Sequence, residues 1–102
     1  MSIQFYEHIN HQEHNRLELL VDNFNYYDGI DLLSRIFTDR FGDQVVEIID
    51  GFFYKIIRME DKNGEYVLNW HEDVGTYLFC KNHDIEILKS KLKVVLNLLV
   101  RK

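Results

Sequence analysis

The dipeptide Asn63-Gly64 stands between IIRMEDK and EYVLNWH, two runs in which apolar and polar residues alternate. Asn-Gly in that setting is the strongest short-range signal for a tight β-hairpin, because the favoured turn needs positive φ at its central positions. A two-residue loop there pairs Lys62 with Glu65, Met59 with Leu68 and Ile57 with Trp70. Ile57, Met59, Leu68 and Trp70 then share one apolar face. Arg58, Glu60, Lys62, Glu65, Asn69 and His71 fall on the other. A one-residue slip would scramble this division, so the pattern commits the middle of the chain to an antiparallel sheet with one buried side.

Neighbouring segments extend that sheet. A three-residue turn at Asp73-Val74-Gly75 places Leu78 and Cys80 on the apolar face and leaves Tyr77 and Phe79 outside, beside His71 and Asn69. Asp50-Gly51 turns QVVEIID into FFYKIIRME, although Lys55 interrupts the apolar parity, and a bulge is expected there. Ile3, Phe5 and Ile9 alternate with Gln4, Tyr6 and His8 as in a half-buried strand. RLELLVD, residues 16–22, is ambiguous: Leu17, Leu19 and Val21 alternate like a strand, while Leu17, Leu20, Val21 and Phe24 recur like a helix face. The strand is favoured, since it makes a hairpin with the first.

Two helices are predicted, at about 29–41 and 84–100. Asp28 is suited to cap the first, Asp31 to sit near its positive end, and Tyr27 with Leu32 to form a hydrophobic staple. Ile30, Leu33, Phe37 and Phe41 share a face, and Gly42 ends the helix. In the second, Ile85, Leu88, Leu92, Val95 and Leu99 form a packing stripe. Lys89, Lys91, Lys93 and Arg101 read as a solvated face suited to the negative helix end. With 46% hydrophobic and 14% aromatic residues, the chain has the material for a real core. It has no proline and no Ser/Gly-rich run to mark a linker. The expected fold is therefore α+β: one domain over 1–102, an antiparallel sheet of about five to six strands with two α-helices packed on one face.

Charge is uneven. Residues 1–80 carry 15 acids and 6 bases, and residues 81–102 carry 6 bases and 2 acids. An acidic body disfavours nucleic acid and suits a basic partner. MSIQFYEH has no basic start followed by an apolar run, so no signal peptide is expected, and the apolar runs are too short for a membrane span. With Cys80 as the lone cysteine, a reduced, cytoplasmic protein is expected.

HINHQEH sets His8, His11 and His14 three apart. That spacing puts them on alternate faces of a strand and spreads them around a helix, and recognised zinc spacings are absent. A polar hairpin loop is the expectation, with no metal and no cofactor. Cys80 with His71 or His83 as base would make a nucleophilic pair, but the inward position predicted for Cys80 favours an inert core residue. No nucleotide-binding or hydrolase motif is present, and the chain is not expected to be an enzyme.

The segments NRLELLVD, YYDGIDLL, VVEIIDGFF and NWHEDVGTYLF, which span residues 15–79 in that order, resemble small bacterial immunity proteins of polymorphic-toxin systems, contact-dependent growth inhibition among them. The resemblance implies a cytoplasmic, non-catalytic inhibitor that occludes a cognate toxin domain, commonly a basic nuclease. The basic C-terminal helix departs from the most acidic inhibitors of this kind and directs attention to the acidic body. The candidate partner-binding residues are Tyr26, Tyr27, Asp28 and Asp31 near the first helix, and Glu60, His71, Glu72, Asp73, Tyr77 and Phe79 on the hairpin face. Alternatives are a small homodimeric regulatory or structural domain, and a His-dependent metal-binding protein. The chain is expected to be a monomer or a weak homodimer that touches neither nucleic acid nor membrane.

Overall fold

A computed structural model describes residues 3–25 and 28–100. Six strands, β1 (Phe5–Asn10), β2 (Arg16–Val21), β3 (Gln44–Asp50), β4 (Tyr54–Asp61), β5 (Gly64–His71) and β6 (Gly75–Cys80), form one antiparallel sheet in the order β1-β2-β6-β5-β4-β3. Helix α1 (Gly29–Phe41) links β2 to β3, and α2 (Ile85–Val100) follows β6. Both helices bury their apolar stripes against the same side of the sheet. Ile30, Leu33 and Phe37 of α1 and Leu88, Leu92 and Val95 of α2 meet Leu19, Ile57, Met59, Tyr66, Leu68 and Leu78, all fully buried. The α+β architecture expected from the sequence is present, and residues 16–21 are strand. Among the described residues no helix is long and apolar enough to cross a membrane.

The faces of the central hairpin are as the alternation requires, but its register is not. Asp61 pairs with Gly64, Met59 with Tyr66, Ile57 with Leu68 and Lys55 with Trp70. Lys62 and Asn63 form the loop, and Gly64 (φ +127°) opens the next strand. The β5–β6 turn repeats this error. Gly75 (φ +96°) pairs with His71, so the loop is Glu72-Asp73-Val74, and Tyr77 lies opposite Asn69 instead of His71. In each case a glycine is the first ladder residue after the turn, where its positive φ lets the chain rejoin the strand. Both shifts are two residues, so every side chain keeps its face.

Three further expectations need correction. The bulge lies between Val45 and Glu47 on β3, not at Lys55. Lys55 keeps the apolar parity and is buried, its ammonium donating to Asp31 at 2.6 Å with Asp50 at 3.7 Å. Asp28 precedes α1 in a helical conformation, and its carboxylate makes no capping bond. Ile9 is exposed rather than half-buried, on the edge strand β1. The staple partner Tyr27, with Tyr26 and Arg101, lies outside the described residues.

Under the Asn63 hairpin the core contains a polar cluster. Lys91 of α2 donates to Asp43 at 2.5 Å and to Asp61 at 2.6 Å. The Tyr66 hydroxyl also donates to Asp43. His83 faces both carboxylate oxygens of Asp61 at 2.9 Å through Nε2 and the Asp84 carbonyl at 2.9 Å through Nδ1. Lys91 was read from the sequence as part of a solvated face; it is instead the tie between α2, the end of α1 and the β4–β5 hairpin.

Candidate functional site

Because both helices lie on one side, the opposite face of the sheet has no covering layer among the described residues. Register assigns its rows. Leu20, Tyr77, Asn69, Ile56 and Ile49 form one, and Glu18, Phe79, Val67, Arg58 and Glu47 the next. Near the middle lies a shallow depression of about 570 Å³, lined by residues that include Arg16, Ile56, Val67, Asn69, Tyr77 and Phe79.

Tyr77 and Phe79 are on this face, as the alternation predicts, and are half-buried. Their rings stack with centroids 6.3 Å apart and planes 26° off parallel. The Arg16 guanidinium covers Phe79, its central carbon 3.6 Å from the ring centroid. Arg16 is itself held by the buried Glu18 carboxylate, which accepts from its Nε at 3.0 Å and from a terminal nitrogen at 2.6 Å, with Asn10 adding a third bond at 3.1 Å. A cation fixed over an aromatic ring by a buried carboxylate gives a pre-ordered surface with little entropy left to lose on binding. Burial, reinforced by the Glu18 charge and offset in part by Arg16, pushes the Tyr77 phenol up, so its hydroxyl remains a neutral donor.

The other predicted residues fall in three places. His71 is half-buried at the end of β5, where its Nδ1 accepts from the Asp73 amide at 3.1 Å. Glu72 and Asp73 are exposed in the adjoining turn, beside Val74, which is also exposed. This turn borders the open face, since Tyr54 and His71 pair in its last row. Glu60 is exposed at the opposite end of the face, paired with Glu65. Asp28 is exposed at the start of α1, and Asp31 is committed to Lys55; both belong to the helix layer. Tyr26 and Tyr27 lie outside the described residues. Thus Tyr77, Phe79, His71, Glu72 and Asp73 form one connected region, and the other described candidates lie apart from it.

The sequence reading missed Arg16 and Glu18. Their signal was available, because an Arg-x-Glu pair on a strand shares a face, and alternation with the apolar Leu17, Leu19 and Val21 puts that face away from the core. It also missed the exposed run at Val45, Val46, Ile48, Ile49, Phe52, Phe53 and Tyr54. There β3 is an edge strand, a position that alternation alone does not reveal.

The histidine segment does not assemble a centre. His8 is on β1, His11 begins a single 3-10 turn (His11–Glu13) and bonds Asn15 at 2.7 Å, and His14 takes a left-handed conformation. Among the described residues no group of three or more His, Cys, Asp or Glu side chains is placed to hold a metal ion. Cys80 is a half-buried free thiol. Burial and the charges of Asp84 and Asp61 push it up to about 11. That is the opposite of activation, and His83 is engaged elsewhere. In comparisons with known proteins, no family model, no curated protein and no solved structure matches this chain.

Proposed function

We propose that this protein is an immunity protein: a non-enzymatic cytoplasmic inhibitor that binds a cognate toxin domain and blocks its active or substrate-binding surface. The observation that carries the reading is the uncovered sheet face, with its Arg16-capped Tyr77–Phe79 stack bordered by the acidic Glu72-Asp73 turn. Aromatic residues and arginine dominate the energetics of protein interfaces. A rim of carboxylates speeds encounter with a basic partner such as a nuclease-type toxin domain. The sequence resemblance and the net charge of −5 point the same way.

The test is co-expression with the C-terminal domain of any large secreted protein encoded beside it. The wild-type chain is expected to restore growth. Tyr77→Ala/Phe79→Ala should lose protection while remaining folded. Glu72→Lys/Asp73→Lys should lower the association rate and its salt dependence. Protection that survives both changes would place the interface elsewhere, and failure of the wild-type chain to protect against any adjacent toxic domain would sink the reading.

A further inference from the structure

Strand β3 is an unusual sheet edge. Edge strands are commonly guarded by lysine, proline, short length or a β-bulge, because their free amides and carbonyls invite pairing with another strand; of these β3 has only a bulge, near its first end. QVVEIID contains neither lysine nor proline, and all seven of its residues are exposed. Its two carboxylates are drawn toward bases of the adjacent strand β4: Glu47 lies 3.2 Å from Arg58, and Asp50 lies 3.7 Å from Lys55. Each base is shared, Arg58 with Glu65 and Lys55 with Asp31, so the edge presents Val45, Val46, Ile48 and Ile49 with its own charge offset in part. Phe52, 88% exposed, and Phe53 continue the apolar surface into the next turn, their rings 4.9 Å apart.

We infer that β3 is a self-association edge, pairing antiparallel with β3 of a second copy about a two-fold axis at Ile48. The bulge at Val46 leaves Glu47–Asp50 as the regular stretch and so limits the register. Centring the axis on Glu47 would set two carboxylates directly opposite one another, which is unfavourable. Centring it on Ile48 sets Ile48 against its own copy and Glu47 against Ile49, with each pair on one face. The same patch meets itself, as a two-fold interface requires. Partly offset charges lower the repulsion between two acidic chains at this seam. Taking aromatic side chains as roughly 150–250 Å² each, Val45, Val46, Ile48, Ile49, Phe52, Phe53 and Tyr54 expose on the order of 600 Å² per copy. As an upper bound on what pairing can bury, that falls below the ~800 Å² per partner of a standard stable interface and fits a weaker, concentration-dependent dimer. Pairing would join the two sheets into one of twelve strands and set the two open faces side by side.

The inference is tested on the full chain by light scattering and sedimentation across a wide concentration range. The wild type is expected to be dimeric, with the dimer strengthened by salt as long-range repulsion is screened. Ile48→Lys, at an exposed position, should keep the fold and the thermal transition of the protomer but yield a monomer. Phe79→Ala, on the open face, should remain dimeric. Register is read separately. Opposed residues have Cα atoms about 4.5–5.5 Å apart, within disulfide range. Ile48→Cys in a Cys80→Ser background should therefore cross-link on oxidation, while Ile9→Cys in the same background should not. A wild-type chain that is monomeric at every concentration overturns the inference. So does a dimer that Ile48→Lys leaves intact, or one whose Ile48→Cys form does not cross-link.

Discussion

Replacing Lys91 with methionine keeps most of the side chain's volume and removes the cation held between Asp43 and Asp61. The Asp43 and Asp61 side chains are 2% and 8% exposed and that of Lys91 is 12%, so solvent offers little compensation. Breaking a buried ion pair by removing one partner costs about 3–5 kcal/mol. Partners remain: Tyr66 still donates to Asp43, and His83 and the Asn63 amide still donate to Asp61. The lower end, ~3 kcal/mol, is therefore expected, which for a domain of this size lowers Tm by on the order of 15 °C. Urea denaturation at pH 7 should show a lower midpoint with an unchanged slope. The pH dependence discriminates further. Burial pushes the Asp61 carboxyl up, but the bonds from Lys91, His83 and the Asn63 amide outweigh it and hold the group below its ordinary range. A lowered folded pKa gives stability that is present above the unfolded value and lost as pH falls through the folded one. Without Lys91 that acid-labile part is smaller, so the deficit of Lys91→Met should be full above about pH 4 and shrink as pH falls below it. A loss under ~1 kcal/mol at pH 7, or a deficit that stays constant well below about pH 4, would refute the assignment of this cluster as a stabilising tie.

At alkaline pH the Cys80 thiol, raised to about 11, and the Tyr66 phenol, raised by burial and then by its bond to Asp43 and the charges of Asp43 and Asp61, both favour the folded state while protonated. A raised folded pKa gives stability that is lost as pH rises, so stability should decline above about pH 8.5; Cys80→Ala should flatten the first part of that decline in denaturation midpoints. Gly64→Ala should cost more than Gly42→Ala, because both have positive φ but only at Gly64 would a Cβ run into the Asn82 carbonyl. Calorimetry should give roughly 1 kcal/mol for Gly42→Ala and severalfold more for Gly64→Ala. Changing His8, His11 and His14 together to alanine should leave the thermal transition within ~0.5 kcal/mol per site and leave partner binding intact; a large loss of both, with loss of a stoichiometric metal, would reverse the reading of that segment.

Alternation was enough to read both helices, the strands and the inward positions of Ile57, Met59, Leu68, Trp70 and Leu78, because hydrophobic period depends on each residue's own neighbours along the chain. Register was not, because it depends on where glycine sits relative to a turn. Both Gly64 and Gly75 proved to be the first strand residue, and the even shift spared the faces. The ion pairs were illegible for a different reason. Lys91 and Asp43 are 48 positions apart, Lys91 and Asp61 are 30, and Lys55 and Asp31 are 24, so nothing local distinguishes these lysines from solvated ones. Of the candidate binding residues, Tyr77 and Phe79 were placed on the open face by parity, and Glu72 and Asp73 were chosen for their charge. Asp28 and Asp31 were grouped with them by charge alone, which carries no information about side.

Strand order also bears on how the chain acquires this structure. The run β3-β4-β5-β6 is a meander in which each strand pairs with its neighbour in sequence. By contrast, Glu18 of β2 finds Phe79 of β6 only after α1 and three strands have intervened. Closing that long loop is slow relative to forming hairpins. The β1–β2 hairpin should therefore dock last on folding and open first in the native state, and its amides should exchange with solvent sooner than those of β5. When it opens, β6 becomes an edge. Its sequence, GTYLFC, has no charge and no proline to discourage a wrong strand from adding there. The docked N-terminal hairpin thus acts as a cap against aggregation, and mutations that loosen it should lower the yield of folded protein well before they lower the midpoint of global unfolding.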